Sequence, residues 1–287
     1  MSAIGSQVSR IPQHGRRILA IWLTSSVIAV PLIIWVLGPQ LPPGRMSSEA
    51  ADQTDANTVL TAVCVPIVLM VVVYFTYALI VFRARDGAIE DGRPIRGHGP
   101  TQTFWIVATA VVVLALAIWG TFTLIGTAHG AGGGQGPNPL AKPGDAKQAL
   151  QVQVIGQQWN WTYRFPAYGN TETLQLELPV GTPIELHVTS LDVTHSFWAY
   201  ELGVKADAVP GVDNIDFVHP RKLGKFQIRC AELCGIWHGH MYQTGYVVSR
   251  DQFNTWIAQQ QAAEKANQQY LPPYDRTYFP EPLRRAG

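Results

Sequence analysis

Three stretches of the chain, Ile18 to Leu37, Val59 to Phe82 and Phe104 to Ile125, are predominantly apolar and contain no charged residue. A bilayer core needs roughly 20 such residues in a helix, and each stretch is long enough. Buried helices of a soluble domain would instead show a polar face at a period of about 3.6 residues, and Val68 to Tyr74 shows none. Three membrane-spanning helices are therefore expected. Arg16 and Arg17 precede the first, and Arg83, Arg85, Arg93 and Arg96 separate the second from the third, so both sets should face the cytoplasm. The intervening loop, Gly38 to Thr58, sets Arg45 against Glu49, Asp52 and Asp55, which suits the outer side and places the C-terminal half there. A basic start followed by an apolar run also begins secretory signals. The first run is long for that, and no clear small-residue cleavage site follows Leu37, so a retained helix is expected.

Only 14% of residues are charged and the net charge is +1, with no basic stripe to neutralise a run of phosphates. Nucleic acid is set aside as a partner. After Ile125 the chain turns rich in Gly and Pro from Gly130 to Asp145, which reads as a flexible link. Gly132 to Gly134 is no phosphate loop, because Pro137, Pro139 and Pro143 follow where a helix start would be needed. From Leu150 the apolar period becomes two, in Gln151 to Val154 and Glu185 to Val188. Further strands are expected at Thr173 to Leu178, Asn214 to His219, Lys225 to Cys230 and Gly245 to Ser249. A small β-sandwich or Greek-key barrel fits. Asp251 to Gln268 reads as a helix, and Leu271 to Pro282 as an extended tail. The expected fold is thus a membrane-anchored all-β protein. Its organisation is an N-terminal helix or uncleaved signal (1–37), a helical hairpin (38–126), a linker (127–149), a β-domain (150–250), and a C-terminal helix with tail (251–287).

Three cysteines are too few for a disulfide scaffold. Cys64 lies inside an apolar stretch and reads as a small hydrophobe. Between Cys230 and Met241, by contrast, two thiols, two imidazoles and a thioether fall within twelve residues. Thiolate and thioether are soft ligands and imidazole is intermediate, a set that suits copper cycling between two oxidation states. A single-copper electron-transfer site needs one Cys, two His and a weak Met, which leaves a thiolate over. Two thiolates from one loop can bridge two copper ions with one terminal His on each, the second His coming from elsewhere. His195, in Asp192-Val193-Thr194-His195, is the best candidate, at the end of an expected strand. A Cys230–Cys234 disulfide would leave His238 and Met241 without a reason, and zinc would leave Met241 without one. The spacing does not choose between His238 and His240. His187 and His219, in strand patterns, read as exposed or core histidines. In Gln158-Trp159-Asn160-Trp161-Thr162-Tyr163-Arg164 the alternating aromatics either pack a sheet face or present a Trp as docking surface and electron path.

The chain resembles cytochrome c oxidase subunit II over essentially everything after the first helix. The resemblance rests on Cys230-Ala231-Glu232-Leu233-Cys234-Gly235 with His238 and Met241, on His195, on Trp159 and Trp161, and on the run from Gly203 to Gly211. It implies a cupredoxin-like Greek-key barrel holding a dinuclear copper centre, CuA. Cys230 and Cys234 would bridge, His195 and His238 would be terminal, Met241 a weak ligand, and Glu232 a ligand through its backbone carbonyl. It also implies that the Glu232 carboxylate faces a magnesium ion shared with the large subunit. Trp159 would take electrons from cytochrome c, and the haems, oxygen reduction and coupled proton pumping would belong to subunit I and other oxidase subunits. Gln102 stands where the family often carries a Glu that helps proton uptake, and the family commonly has two spanning helices rather than three. No Cys-x-x-Cys-His occurs, so a separate donor is implied. A CuA-bearing nitric oxide reductase subunit and a copper-binding or delivery module are the alternatives, and a quinol oxidase subunit is disfavoured because that branch lacks the copper ligands.

Overall fold

The computed structural model describes residues 11–83, 97–127 and 148–267. The expected linker at 130–145, the tail at 271–282 and the arginines Arg85, Arg93 and Arg96 lie outside the described residues. The chain divides into two compact units, residues 1–41 with 55–121 and residues 42–54 with 122–287.

The first unit is built from α1 (Ile11–Leu32), continued by a wider helical turn at Ile33–Leu37, most of α2 (Ser48–Val81), and α3 (Gly99–Thr127). All three are long and apolar enough to cross a membrane. Val68, Val71, Phe75 and Ile80 of α2 are exposed apolar side chains, as a lipid-facing surface requires, while Pro66 and Tyr77 lie on a half-buried stripe. Two polar contacts tie α1 to α2. The Trp22 indole donates to the Pro66 carbonyl at 2.7 Å, and His14 Nδ1 lies 2.8 Å from the Tyr77 hydroxyl.

The second unit is a sandwich of two five-stranded sheets. One holds β3 (Thr171–Thr173), β2 (Asn160–Phe165), β1 (Leu150–Gln157), β5 (Ile184–Ser190) and β8 (Asn214–Val218) in that order. The other runs β4 (Glu177–Pro179), β10 (Tyr242–Val248), β9 (Gly224–Cys230), β6 (His195–Ala199) and β7 (Val204–Ala208). β1 pairs parallel with β5, and β10 parallel with β4, so the chain passes repeatedly between sheets. Period two decides what faces inward: Val152 and Val154 of β1, and Trp161, Tyr163 and Phe165 of β2, meet Phe197, Phe226 and Ile228 in a sealed core. Helix α4 (Arg250–Asn267) closes one end, with Phe253 and Ile257 buried and Phe253 packed against Phe165.

Two expectations need correcting. The single strand expected over Thr173 to Leu178 is broken, because β3 and β4 belong to different sheets. Between them the chain crosses over, with Leu174 exposed and Leu176 buried. His195 opens β6 rather than ending the preceding strand, because β5 stops at Ser190 and a turn intervenes. The loop before α2 and its first turns also pack on this unit. Ser48 N–H donates to the His219 carbonyl at 3.1 Å, Arg221 N–H to that of Met46 at 2.8 Å, and Ala50 is sealed against Gly203.

Candidate metal centre

Strands β9 and β10 form an antiparallel pair in which Arg229 faces Tyr242. Cys230 and Met241 are therefore the two ends of the loop that joins them, closed by Cys230 N–H donating to the Met241 carbonyl at 3.0 Å. On the other side of β9, Phe197 of β6 faces Cys230, and Ala231 N–H donates to the Ser196 carbonyl at 2.9 Å. That register delivers His195, fully buried, to the base of the loop. Inside the loop, Gly235 takes φ +121°, and a Cβ there would press on the Trp159 indole at 3.2 Å. One helical turn, His238–His240, then aims His238 back at the sulfurs.

The donors converge. The Cys230 and Cys234 sulfurs lie 3.8 Å apart, too far for a disulfide, and both cysteines are free. His195 Nδ1 is 3.8 Å from the Cys230 sulfur, and His238 Nδ1 is 3.5 Å from that of Cys234. Met241 Sδ lies 3.8 Å from Cys234 Sγ, and the Glu232 carbonyl 3.2 Å from Cys230 Sγ. The two sulfurs and His195 form a cluster with metal-holding geometry. Two thiol sulfurs, two imidazoles and a thioether are soft and intermediate ligands, so the donor set fits copper. Burial, the adjacent Cys230 thiol and the Asp192 charge push the Cys234 thiol up to about 12. A thiolate forms there only when a cation takes the proton's place. His240 is exposed, and its described ring contact is with Trp237, 5.2 Å between centroids. The Glu232 side chain is exposed.

Two residues that residue-by-residue reading passed over hold this arrangement. One oxygen of Asp192 accepts from His195 Nε2 at 2.9 Å and from Val193 N–H at 2.6 Å, and the other accepts from Gln158 N–H at 2.6 Å. A carboxylate on Nε2 fixes the ring tautomer that leaves Nδ1 free to face the sulfurs. Burial alone would raise the Asp192 carboxyl, but the Gln158, His195 and Val193 hydrogen bonds and the His195 charge together hold it below the usual range. Gln158 Nε2 and Trp159 Nε1 both donate to the Cys234 carbonyl, at 2.8 and 3.2 Å. Asp192, three residues before His195, looks like an ordinary turn residue in sequence, and Gln158 merges with its polar neighbours.

Comparison with known proteins finds these features elsewhere. A family model described as cytochrome c oxidase subunit II, periplasmic domain, matches residues 171–247, which include His195 and the whole ligand loop. The cytochrome c oxidase subunit 2 of Thermostichus vulcanus is 28% identical over 287 aligned residues, covering 86% of this chain and 87% of that protein. The β-domain with its ligand loop is thus similar to the periplasmic domain of cytochrome c oxidase subunit II. The probable subunit 2 of Rickettsia prowazekii is 38% identical over 130 residues, covering 38% of this chain and 42% of that protein. A solved periplasmic domain of subunit II from Bradyrhizobium japonicum is 31% identical over 40% of this chain and 94% of its own, with TM-score 0.39. These relatives are subunits of cytochrome c oxidase, an oxidoreductase. The present chain combines three helices long and apolar enough to cross a membrane with a cupredoxin-like domain bearing a candidate copper site.

Proposed function

We propose that this chain is the electron-receiving subunit of a respiratory cytochrome c oxidase, working through a dinuclear CuA centre on the outer side of a bacterial-type cell membrane. The observation that carries the reading is that two sulfurs lie 3.8 Å apart and each faces a different imidazole, His195 for Cys230 and His238 for Cys234. That pairing supports one terminal His per copper, with Met241 and the Glu232 carbonyl as weak outer ligands. Bound there, copper supplies one-electron acceptance and release. The chain's own part is to hold the ligands rigidly, so that little rearranges when the charge changes. Asp192 orients His195, the β9–β10 ladder fixes both ends of the loop, and the core behind it excludes water. Trp159, half-buried and bonded to the Cys234 carbonyl, offers a short path from the surface to a ligand.

The donor in this reading is cytochrome c or an equivalent, and the acceptor is haem in subunit I, where oxygen is reduced to water with proton pumping. The exposed Glu232 carboxylate would meet a magnesium ion shared with that subunit. Arg16, Arg17 and Arg83 support a cytoplasmic side for the helix ends near them. On this reading residues 1–126 anchor, 127–149 link, 150–250 carry copper and 251–287 close the domain. Copper counting and electron paramagnetic resonance on the full-length chain test the proposal. Two coppers per chain with hyperfine structure from two equivalent nuclei support it, and one copper with a mononuclear spectrum refutes it. The haems and gaseous acceptor of the complex purified with the chain separate oxygen reduction from nitric oxide reduction.

A further inference from the structure

Positions Met241, Gln243, Gly245 and Val247 share the inner face of β10 and the residue before it, so Gln243 is the next inward side chain after Met241. A polar amide turned inward needs partners, and this one has them. The fully buried Tyr163 donates its hydroxyl to Gln243 Oε1 at 2.7 Å, and Gln243 Nε2 donates to Asn160 Oδ1 at 2.6 Å and to the Trp161 carbonyl at 3.0 Å. A main-chain carbonyl only accepts, which fixes the amide nitrogen toward Trp161. Burial pushes the Tyr163 phenol well above its ordinary value, so its proton stays available for donation. All three partners belong to β2, whereas Gln243 belongs to β10, and these strands lie in different sheets. Stacked sheets are about 10 Å apart, a gap that a glutamine and a tyrosine reaching toward each other can span. The amide therefore ties the two sheets across the interior, two residues from Met241.

That place matters because the ligand loop hangs from both sheets. Cys234 is held through its carbonyl by Gln158 and Trp159, in the turn between β1 and β2 of the first sheet. Met241 rides on β10 of the second, with its carbonyl accepting from Cys230 N–H and its own N–H donating to the His238 carbonyl at 3.1 Å. The β9–β10 ladder fixes Met241 within its own sheet, but not its distance from a cysteine hung on the other. The 3.8 Å between Met241 Sδ and Cys234 Sγ thus depends on how far apart the sheets stand at this end, which is where the Gln243 amide ties them. A methionine opposite copper is a weak, long ligand, and the reduction potential of such sites is tuned by it. A small change in sheet separation is then felt at the metal.

We propose that Gln243 is a positioning residue for the copper centre, fixing how closely the Met241 thioether approaches the metal and thereby setting its reduction potential. This rests on the reading of Met241 as a copper ligand. The full-length chain is loaded with copper, and its potential is measured by redox titration in the wild type, Gln243→Leu, Met241→Leu and the double variant. Gln243→Leu removes all three hydrogen bonds while keeping an inward side chain. The expected result is copper bound at the wild-type count, with the potential displaced in the same direction as in Met241→Leu and by less. In the double variant the Gln243 change should add nothing to that of Met241→Leu, since the residue acts through the thioether. Tyr163→Phe, which removes one of the three bonds, should give a smaller shift of the same sign, and it decides the matter if Gln243→Leu fails to fold. An unchanged or opposite potential in Gln243→Leu, or a shift that adds in full to that of Met241→Leu, would overturn the assignment. Met241→Leu without effect overturns the ligand reading and this inference with it, whereas a Met241→Leu shift without a Gln243→Leu shift overturns the inference alone.

Discussion

Asp192→Asn removes one charge and one acceptor from a carboxylate that four donors share. Val193 N–H, His195 Nε2 and the Ser190 hydroxyl converge on one oxygen, and Gln158 N–H on the other. An asparagine that keeps its oxygen toward His195 turns its NH2 against Gln158 N–H, donor against donor. Flipping the amide restores the Gln158 bond and sets the NH2 against His195 and Val193. Either way at least one charge-assisted hydrogen bond is lost, worth about 1.5–3 kcal/mol. The side chain is 32% exposed, so water recovers part of it, and the lower end, about 1.5 kcal/mol, is expected in denaturant melts of the metal-free chain. Copper affinity should fall about 10–100-fold, because the fixed tautomer of His195 is relaxed. Competition against a chelator of known affinity measures this. Asp192→Ala, which removes every acceptor, should be weaker still. If both variants hold copper as the wild type does, Asp192 does not position His195 and the reasoning fails.

Four other perturbations have defined outcomes. Gly156→Ala places a Cβ 2.9 Å from the Trp161 ring and 3.1 Å from that of His195, both fully buried, and should cost about 1–3 kcal/mol while shifting the copper spectrum. A melt and spectrum matching the wild type would show that the rings give way freely. Copper loading should release at least one proton per chain at neutral pH, because the Cys234 thiol lies near 12 beforehand, and loading in weakly buffered solution without acidification would contradict that. Trp159→Ala should slow reduction by cytochrome c with copper still bound, and undiminished turnover would take the indole out of the path. Burial raises the Asp216 carboxyl well above 3.8, and the Glu49 charge adds to this, against the Phe217 N–H bond that lowers it. A raised value in the folded chain means stability that is complete below the unfolded value and lost as pH rises through the folded one. The slope is up to about 1.4 kcal/mol per pH unit, and it should vanish in Asp216→Asn. Identical pH profiles for the two chains in denaturant melts would count against a raised Asp216.

What the sequence made legible follows from the range of the forces involved. The spanning helices stand out because lipid demands apolarity on every face over a fixed length, a local requirement written into each stretch. Strands such as β1 and β5 show through period two because each buries one face against the same core. Thr173 to Leu178 misleads for the same reason. Its alternation continues through the crossover, since Leu176 is buried where the chain passes between sheets, and only pairing partners far along the chain reveal the break. At the candidate metal centre, Cys230 to Met241 is legible as a cluster because one hairpin loop carries most of the donors, and the chemistry of soft ligands narrows the metal it suits. His195 was reachable only as the missing imidazole. What brings it to the loop is the β6–β9 register, a contact over 30 residues in sequence that no local pattern encodes. Asp192 and Gln158 stay hidden for a further reason. Each is a polar residue whose meaning depends on which donor or acceptor the fold sets beside it, and in sequence it looks the same whether it faces water or a buried imidazole.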